Sequence, residues 1–210
     1  MRIGILANSY LVAFKIYEQL HDLPDCDLFV ILSPLPHRSA WLSILANFAR
    51  MMFSAITPSH WQLSSIPSNR KVVFLPHAVD HEASLAQLNK MDLDVALDRS
   101  GCKYSDKTSQ AFKLGILRVR MKGTSADRFE GRKRSSLRLN TPINVTVFFV
   151  DQGDKGRVPV VSDNIDFSQC KNLTEANQHL SEATAPFFRK ALLALRSGEG
   201  EGLDAFKVMQ

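Results

Sequence analysis

Eight basic side chains between Arg118 and Arg138 form the most concentrated chemical feature of this sequence. Only two acidic residues lie among them, and the eight are Arg118, Arg120, Lys122, Arg128, Arg132, Lys133, Arg134 and Arg138. Guanidinium and ammonium groups at this density can hold a phosphate or a carboxylate through charge-assisted hydrogen bonds. This basic segment therefore indicates a site for an anion, such as a phosphorylated substrate, an acidic lipid or a nucleic-acid backbone. The alternative is a loop whose charges only face water.

Outside the basic segment the chain is nearly neutral. The 210 residues carry a net charge of +5, but the part outside the segment has 18 basic and 19 acidic residues. Nucleic-acid-binding proteins usually spread basic residues over a face built from several elements. Phe129 is the one aromatic residue of the segment that could stack on a base. Nucleic acid is thus a disfavoured partner, and the basic loop at about residues 120–138 is the place where it would bind.

Several common signatures of catalysis and cofactor binding are missing from the sequence. The first apolar run continues as ANSYL rather than G-x-G-x-x-G, and neither a G-x-x-x-x-G-K-[ST] loop nor a G-x-S-x-G motif occurs. His77 and His81 are four residues apart, but a metal would need a further donor. A surface or helix-capping role is favoured for both, and we predict no metal site.

The cysteines and the N-terminus predict a cytoplasmic protein. Cys26, Cys102 and Cys170 are widely spaced and odd in number, which favours a reducing compartment over a disulfide framework. The apolar N-terminal run is followed by Lys15 and Glu18 without a small-residue cleavage site. We therefore interpret that run as a buried strand.

Short apolar runs alternate with helical patterns up to residue 119. Strands are predicted at residues 2–7, 27–33, 72–75, 94–97 and 115–119, and helices at 10–23, 82–89 and 105–113. Two later β-rich runs, 144–151 and 156–161, predict a hairpin, and residues 174–196 a final helix that Pro186 bends or breaks. The predicted fold class is α/β: a single Rossmann-like domain with a mainly parallel central sheet flanked by helices.

Ligands of such sheets bind outside the carboxyl ends of the strands. This rule points to the residues after each predicted strand: Asn8, Ser9, Ser33, Pro34, Pro76, His77, Asp98, Arg99 and the row from Arg118 to Lys122. We predict that Asp98, Arg99, Lys122 and His77 contact a substrate. Arg118 and Arg120 alternate on one strand, so both side chains project to the same face and could clamp an anion.

The segment from Ala40 to Thr57 has one charged residue in 18. Its polar residues recur at helical spacing and leave most of a helix circumference apolar: Ser43, Asn47, Arg50, Ser54 and Thr57. Asn47 and Arg50 near the centre argue against a membrane span. The helix is expected either to be covered by its own domain or to contact a second copy in a homodimer, a protein partner or a membrane surface.

The order of elements and two motifs resemble the family of 10-formyltetrahydrofolate-dependent methionyl-tRNA, glycinamide-ribonucleotide and sugar-amine formyltransferases. Residues 115–120, GILRVR, resemble the Gly-x-Ile-Asn-x-His-like motif of the family's fifth strand. Residues 145–156, VTVFFVDQGDKG, resemble its later G-V-T…D-x-G-x-D-x-G segment but are one residue shorter. The resemblance covers residues 1–198, with 199–210 as a flexible tail. The insertion at 40–57 is similar to a branch of the family associated with sugar or glycolipid modification.

This resemblance implies three site residues and the cofactor 10-formyltetrahydrofolate. In the family, an asparagine and a histidine do much of the oxyanion stabilisation and proton transfer, and an aspartate shares the proton transfer. Arg118 and Arg120 stand at the asparagine and histidine positions, and Asp154 at the aspartate position, or Asp151 if the shortening is placed differently. Arginine can donate to an oxyanion but cannot accept a proton near neutral pH. Losing general acid–base help typically costs about 100- to 10,000-fold in rate.

The sequence is therefore interpreted as a divergent formyltransferase-like protein. In this interpretation it is a pseudoenzyme that binds an anionic small molecule or a protein partner. The alternative is an active 10-formyltetrahydrofolate-dependent N-formyltransferase acting on an amino-sugar or related amine, with Asp154 as the base. A third interpretation is a structural ion pair of Arg118 with Asp154 or Asp98 in a disused pocket. Whether the protein is an enzyme is open at this point.

Overall fold

The computed structural model describes residues 1–34, 71–100, 102, 104–122, 143–150, 159–166, 168–170 and 173–198. The segment 40–57, the basic residues after Lys122, Asp151, Asp154 and the tail 199–210 lie outside these ranges. What the sequence predicts for them stays a prediction. Within the described ranges, no helix is long and apolar enough to cross a membrane.

Helices and strands alternate along the described chain. In order they are β1 (Arg2–Ala7), α1 (Tyr10–Leu20), β2 (Asp27–Leu32), β3 (Val72–Phe74), α2 (Glu82–Lys90), β4 (Val95–Asp98), α3 (Asp106–Gln110), β5 (Ile116–Lys122), β6 (Ile143–Phe149), β7 (Pro159–Ile165) and α4 (Leu173–Ser197). The seven described strands form one sheet in the order β3-β2-β1-β4-β5-β6-β7. β1 pairs in parallel with β2 and β4, and β2 with β3, whereas β6 and β7 are antiparallel. The predicted α/β class, with a mainly parallel sheet and a terminal hairpin, is confirmed.

Several elements differ from their sequence-based bounds. For example, α3 ends at Gln110 instead of residue 113, and β5 continues to Lys122 instead of ending at residue 119. β7 begins at Pro159 and continues to Ile165, beyond the predicted end at residue 161. Its polar residues belong to the strand because they pair in register with β6, as Ser162 does with Thr146. Pro186, where the sequence predicts a bend or a break, does not end α4, which continues on both sides of this exposed residue. Buried residues next to Pro186 and in the turns that follow hold this part of the helix in place: Ala185, Phe187, Phe188, Ala191 and Leu192.

The described chain divides into two compact units. The first contains the described residues from Met1 to Leu117 together with Val150, and the second those from Arg118 to Phe149 and from Pro159 onward. The predicted domain bounds, residues 1–198 with a tail at 199–210, stay a prediction.

The core of the first unit lies on both faces of β1. From Ile3 to Ala7 every residue of the strand is buried, which explains its continuous apolar run, since strands covered on both faces have no polar side. Gly4 leaves room for its neighbours: a Cβ there would lie 2.8 Å from Ile31 Cδ1 and 3.1 Å from Leu93 Cδ1. One buried cluster fills this region: Leu6, Ile31, Leu75, Val79, Leu88, Leu93, Ala96, Phe112 and Ile116.

The second unit packs α4 against the β6–β7 hairpin. Phe187 and Leu192 are buried as predicted, Ala183 and Leu195 are half-buried, and the side chain of Leu180 is not among those described. Lys190 Nζ lies 2.8 Å from Asp163 Oδ2, which ties the helix to β7. Side chains at paired positions of the two strands bond to one another in a polar ladder: Asn144, Thr146, Ser162 and Asn164.

Asp94 joins the starts of two neighbouring strands in the first unit. Its Oδ2 accepts the Arg2 N–H at 2.7 Å, and its Oδ1 lies 3.2 Å from Lys113 Nζ. Partial burial raises the pKa of Asp94, but the bond from Arg2 and the bond and charge of Lys113 outweigh it. The net effect holds its pKa below the ordinary value of 3.8.

We expect Asp94 to contribute stability that depends on pH. Because its pKa is lower in the folded protein than in the unfolded chain, the contribution is complete above 3.8 and is lost as the pH falls through the folded-state value. Asp94→Asn should lower the free energy of unfolding by about 1 kcal/mol at neutral pH and by less in acid. Urea unfolding at a series of pH values measures this difference.

Asp92→Asn is the matched control for this experiment. Asp92 also pairs with Lys113, at 3.1 Å, but no bond from it to the Arg2 N–H is present in the described residues. Asp92→Asn should change the unfolding free energy less. A loss for Asp94→Asn that stays constant across the acid range would contradict the expectation.

Candidate functional site

The carboxyl ends of β1 and β4 meet in the first unit. In the sheet, β2 and β3 lie on one side of β1, and β4 and β5 lie on its other side, so the strand order reverses between β1 and β4. Ligands of open α/β sheets bind at such a reversal of strand order. Leu6 lies opposite Asp98, the Arg99 N–H donates to Leu6 O at 2.9 Å, and Asn8 Nδ2 donates to Ser100 O at 3.3 Å. The structure thus brings together Asn8, Asp98 and Arg99, which the sequence had placed at separate strand ends.

The carboxylate of Asp98 holds the loop that follows β4. The residue is 2% exposed, and its Oδ1 accepts the Ser100 N–H at 2.8 Å, the Ser100 hydroxyl at 2.7 Å and the Tyr104 hydroxyl at 2.6 Å. The Cys102 N–H in turn donates to Ser100 Oγ at 3.1 Å. Because buried carboxylate oxygens need donors, this network fixes the course of the loop. The predicted substrate contact of Asp98 stays a prediction.

Sequence reasoning missed the two hydroxyl partners of Asp98. A serine two residues after an aspartate is a common local signal, since such side chains bond the backbone of their own turn. That signal could have identified Ser100. Tyr104 is six residues away from Asp98, and a spacing of six in a loop has no standard pattern.

Arg99 is half-buried beside this network. Desolvation by burial lowers the pKa of its guanidinium, and the charge of Asp98 acts in the opposite direction without cancelling it.

His77 and His81 lie on the surface after β3. The His77 N–H donates to Ser84 Oγ at 3.2 Å, and the Ser84 hydroxyl donates to His77 O at 3.0 Å. His81 caps α2, since its Nδ1 accepts the Ala83 N–H at 3.2 Å, which confirms the predicted capping role for this histidine. The two rings lie 3.9 Å apart between centroids.

The capping bond of His81 uses the lone pair of Nδ1, which a metal ion would otherwise need. A neutral imidazole that accepts at Nδ1 carries its proton on Nε2 and has no second lone pair for a metal. In the part of the chain that the structure describes, no group of three or more His, Cys, Asp or Glu side chains could hold a metal ion. The substrate contact predicted for His77 stays a prediction.

Arg118 and Arg120 lie on β5, in the second unit. Both are half-buried and alternate with the buried residues Leu117 and Val119. The two arginines therefore share one face of the strand. Lys122 is the last residue of β5, but its side chain is not described, and Asp154 and Asp151 lie outside the described ranges. A relation of the arginines to either aspartate stays a prediction.

Solved formyltransferases share this fold. A 4-N formyltransferase from Francisella tularensis matches with a TM-score of 0.54 and 11% identity, over 95% of this chain and 70% of that one. Phosphoribosylglycinamide formyltransferase from Streptococcus pneumoniae matches with a TM-score of 0.55 and 13% identity, over 92% and 98%. A formyltetrahydrofolate deformylase from Pseudomonas syringae pv. tomato matches with a TM-score of 0.51 and 15% identity, over 88% and 58%.

At these identities the likeness establishes the fold. No protein-family model matches the chain, and no curated protein matches it by sequence. The chain has the formyltransferase fold, as the order of elements and the two motifs predicted.

We expect Tyr104→Phe to destabilise the protein because it removes one of three donors from a buried carboxylate oxygen. The loss should be about 1–3 kcal/mol in the free energy of unfolding, measured by urea denaturation. Tyr17→Phe is the control, since Tyr17 is half-buried and stacks on His21 without contacting Asp98. Equal effects of the two substitutions would show that the Tyr104 hydroxyl is not needed.

Proposed function

We propose that this protein is a formyltransferase-fold anion-binding module that does not carry out formyl transfer at a normal rate. The observation that carries this proposal is the arginine pair on β5. By the resemblance of residues 115–120 to the family motif, Arg118 and Arg120 take the places of its asparagine and histidine. Both lie on one half-buried face of the strand.

The spacing of the pair suits one ligand group. Residues i and i+2 of a strand lie about 6.6 Å apart, so two long side chains can converge on a single phosphate or carboxylate. Each guanidinium offers a planar fork of N–H donors that matches these anions. The buried side chains of Leu117 and Val119 on the opposite face fix the orientation of the strand.

The same substitutions remove the ordinary means of proton transfer. Formyl transfer to an amine requires donors for the developing oxyanion and a group that accepts the amine proton. Arginine can serve as a donor, but it stays protonated and cannot be the acceptor. Asp154 would remain as the only matching acid–base residue, without the histidine that the motif supplies.

A folate is one candidate for the anion. One protein with this fold is named a formyltetrahydrofolate deformylase. Folates carry carboxylates on their glutamate moiety, so 10-formyltetrahydrofolate could bind an arginine pair without donating its formyl group. A phosphorylated small molecule fits the same chemistry.

The proposed partner and compartment rest on features outside the arginine pair. A homodimer, a protein partner or a membrane surface would bind through the apolar segment 40–57, which lies outside the described residues. Cys26, Cys102 and Cys170 are free thiols, which supports a reducing compartment such as the cytoplasm.

We expect Arg118→Ala with Arg120→Ala to weaken pyrophosphate binding at least about tenfold, because charge-assisted hydrogen bonds are lost. Isothermal titration calorimetry measures the affinity. Lys90→Ala with Lys107→Ala is the control, since it removes the same charge from exposed positions of α2 and α3. Unchanged affinity in the β5 variant, or equal losses of affinity in both variants, would show that Arg118 and Arg120 do not form the proposed anion site.

The catalytic part of the proposal is tested with 10-formyltetrahydrofolate and a nucleotide-linked amino sugar. We expect no formylation of the amine above the uncatalysed rate in the wild type. Arg118→Asn with Arg120→His restores the motif and should raise the rate, by up to about 100- to 10,000-fold if the histidine supplies the missing proton transfer. Wild-type turnover that disappears in Asp154→Asn would establish an active transferase and overturn the proposal.

A further inference from the structure

We propose that the turn between β3 and α2 is a pH-sensitive switch, in which protonation of the stacked rings of His77 and His81 uncaps α2 and opens the turn. The switch lies entirely in the first unit. It does not depend on the arginine pair of β5 or on the proposed function.

Both histidines are held by the first turn of α2. The Nδ1 atom of His81 accepts the Ala83 N–H at 3.2 Å, so the ring itself caps the helix. His77 is attached through its backbone, because its N–H donates to Ser84 Oγ at 3.2 Å and its carbonyl oxygen accepts the Ser84 hydroxyl at 3.0 Å. These attachments to neighbouring residues of one helix leave the two ring centroids 3.9 Å apart.

The cap requires a neutral ring at His81. A neutral imidazole accepts a hydrogen bond at one nitrogen and donates at the other, whereas a protonated imidazole donates at both. Once Nδ1 of His81 has taken a proton from water, it can no longer accept the Ala83 N–H. The new charge also lies at the positive end of the helix dipole, where a cation is unfavourable. Protonation therefore removes the capping bond and adds an unfavourable charge at the same place.

The stacking of the rings adds a second penalty when both histidines are charged. Two unit charges about 4 Å apart disfavour the doubly charged pair by about fivefold even in water. His77 is bonded twice to Ser84, which is completely buried. His81 is exposed, and among the described residues the cap is its one side-chain hydrogen bond. The ring of His81 is thus the part of the turn that moves away.

The other charged side chains near this turn are carboxylates and one ammonium group. Among the described residues none of them forms an ion pair with either ring, and they are Asp80 on the turn, Glu82 at the start of α2, and Asp106 and Lys107 on α3. Carboxylate and ammonium groups ordinarily keep their charge between about pH 5 and 8, the range in which imidazole changes its charge. The histidines therefore supply the pH dependence of the turn.

Asp80 connects the turn to the start of α3. Its Oδ1 accepts the Ser105 N–H at 3.1 Å and the Ser105 hydroxyl at 3.3 Å, and it also accepts the Thr108 hydroxyl. Ser105 is the residue from which α3 begins. Because Asp80 directly precedes His81, opening of the turn draws its carboxylate away from these donors. The switch thereby reaches α3.

The experiment follows the ¹⁵N-labelled full chain by NMR between pH 8 and 5. At pH 8 we expect the imidazole nitrogens of His81 to show an unprotonated Nδ1 and a protonated Nε2. Acidification should move the Ala83 amide resonance and lower the hydrogen-exchange protection of the Leu85 amide, which donates to His81 O at 2.9 Å. The Ser105 amide resonance should follow the same transition.

His81→Asn is the reference variant, because asparagine caps helices well and does not titrate. Leu85 protection is expressed as the ratio of wild type to this variant at each pH, so that the ordinary pH dependence of exchange cancels. We expect this ratio to fall about tenfold from pH 8 to 5, because the cap is lost and the charged rings repel. His77→Phe keeps a stacked ring without its charge, and should make the fall smaller without abolishing it.

His21 is the internal control. Its Nδ1 lies 2.6 Å from Glu18 O at the end of α1, and a carbonyl oxygen can only accept, so this nitrogen carries a proton in both charge states of the ring. The His21 amide, which donates to Tyr17 O at 2.8 Å, should keep the same protection ratio throughout.

Three results would overturn the switch. They are a protonated Nδ1 of His81 at pH 8, a Leu85 protection ratio that stays constant between pH 8 and 5, and a fall for His21 as large as that for Leu85, which would indicate general destabilisation by acid. A Ser105 resonance that does not follow the Ala83 transition would show that the opening ends at the turn, and would overturn its extension to α3.

Discussion

Burial of β1 on both faces is the constraint on which the first unit depends. The strand pairs with β2 on one side and β4 on the other, and its residues from Ile3 to Ala7 are all buried. A strand in this position can carry no polar side chain along its length, because an unpaired polar group there would be uncompensated. Polar side chains therefore lie at the ends of β1 and β4. Arg2 and Asp94 lie at the amino ends, and Asn8, Asp98 and Arg99 lie at or just after the carboxyl ends. The polar side chains of this part of the sheet therefore lie at the two ends of the strand and not along it.

Asp98 and Arg99 show how adjacent residues take different tasks. Asp98 is almost completely buried and accepts three hydrogen bonds from its own loop, so its carboxylate supports the structure of that loop. Arg99 is less buried but has no bonded acceptor among the described residues. A polar group whose hydrogen bonds are made within the protein belongs to the scaffold. A buried polar group without a bonded partner is a candidate for binding a ligand. On β5, Arg118 and Arg120 combine a fixed strand orientation with half-exposed side chains.

The sequence was informative where a pattern is local and repetitive. The apolar run of β1, the alternation of strands and helices, and the motif around Arg118 and Arg120 were enough to predict the α/β class and the formyltransferase fold. Prediction failed where distant residues decide the outcome. β7 includes polar residues because Ser162 and Asn164 pair with β6, and α4 continues through Pro186 because Phe187 and Phe188 are anchored in the core. The burial of Arg99 and the Tyr104 bond to Asp98 also depend on chain segments that meet only in the folded protein.

The pairing of β1 with β4 has a further consequence for the timing of site formation. The bonds from Arg2 to Asp94 and from Asn8 to Ser100 each join residues 92 positions apart in the chain. Closing so long a loop costs entropy before any contact compensates it, so such pairings form late in folding. The residues at the carboxyl ends of β1 and β4, including Arg99, therefore come together only when these two strands pair. Any local unfolding that separates β1 from β4 also separates these residues.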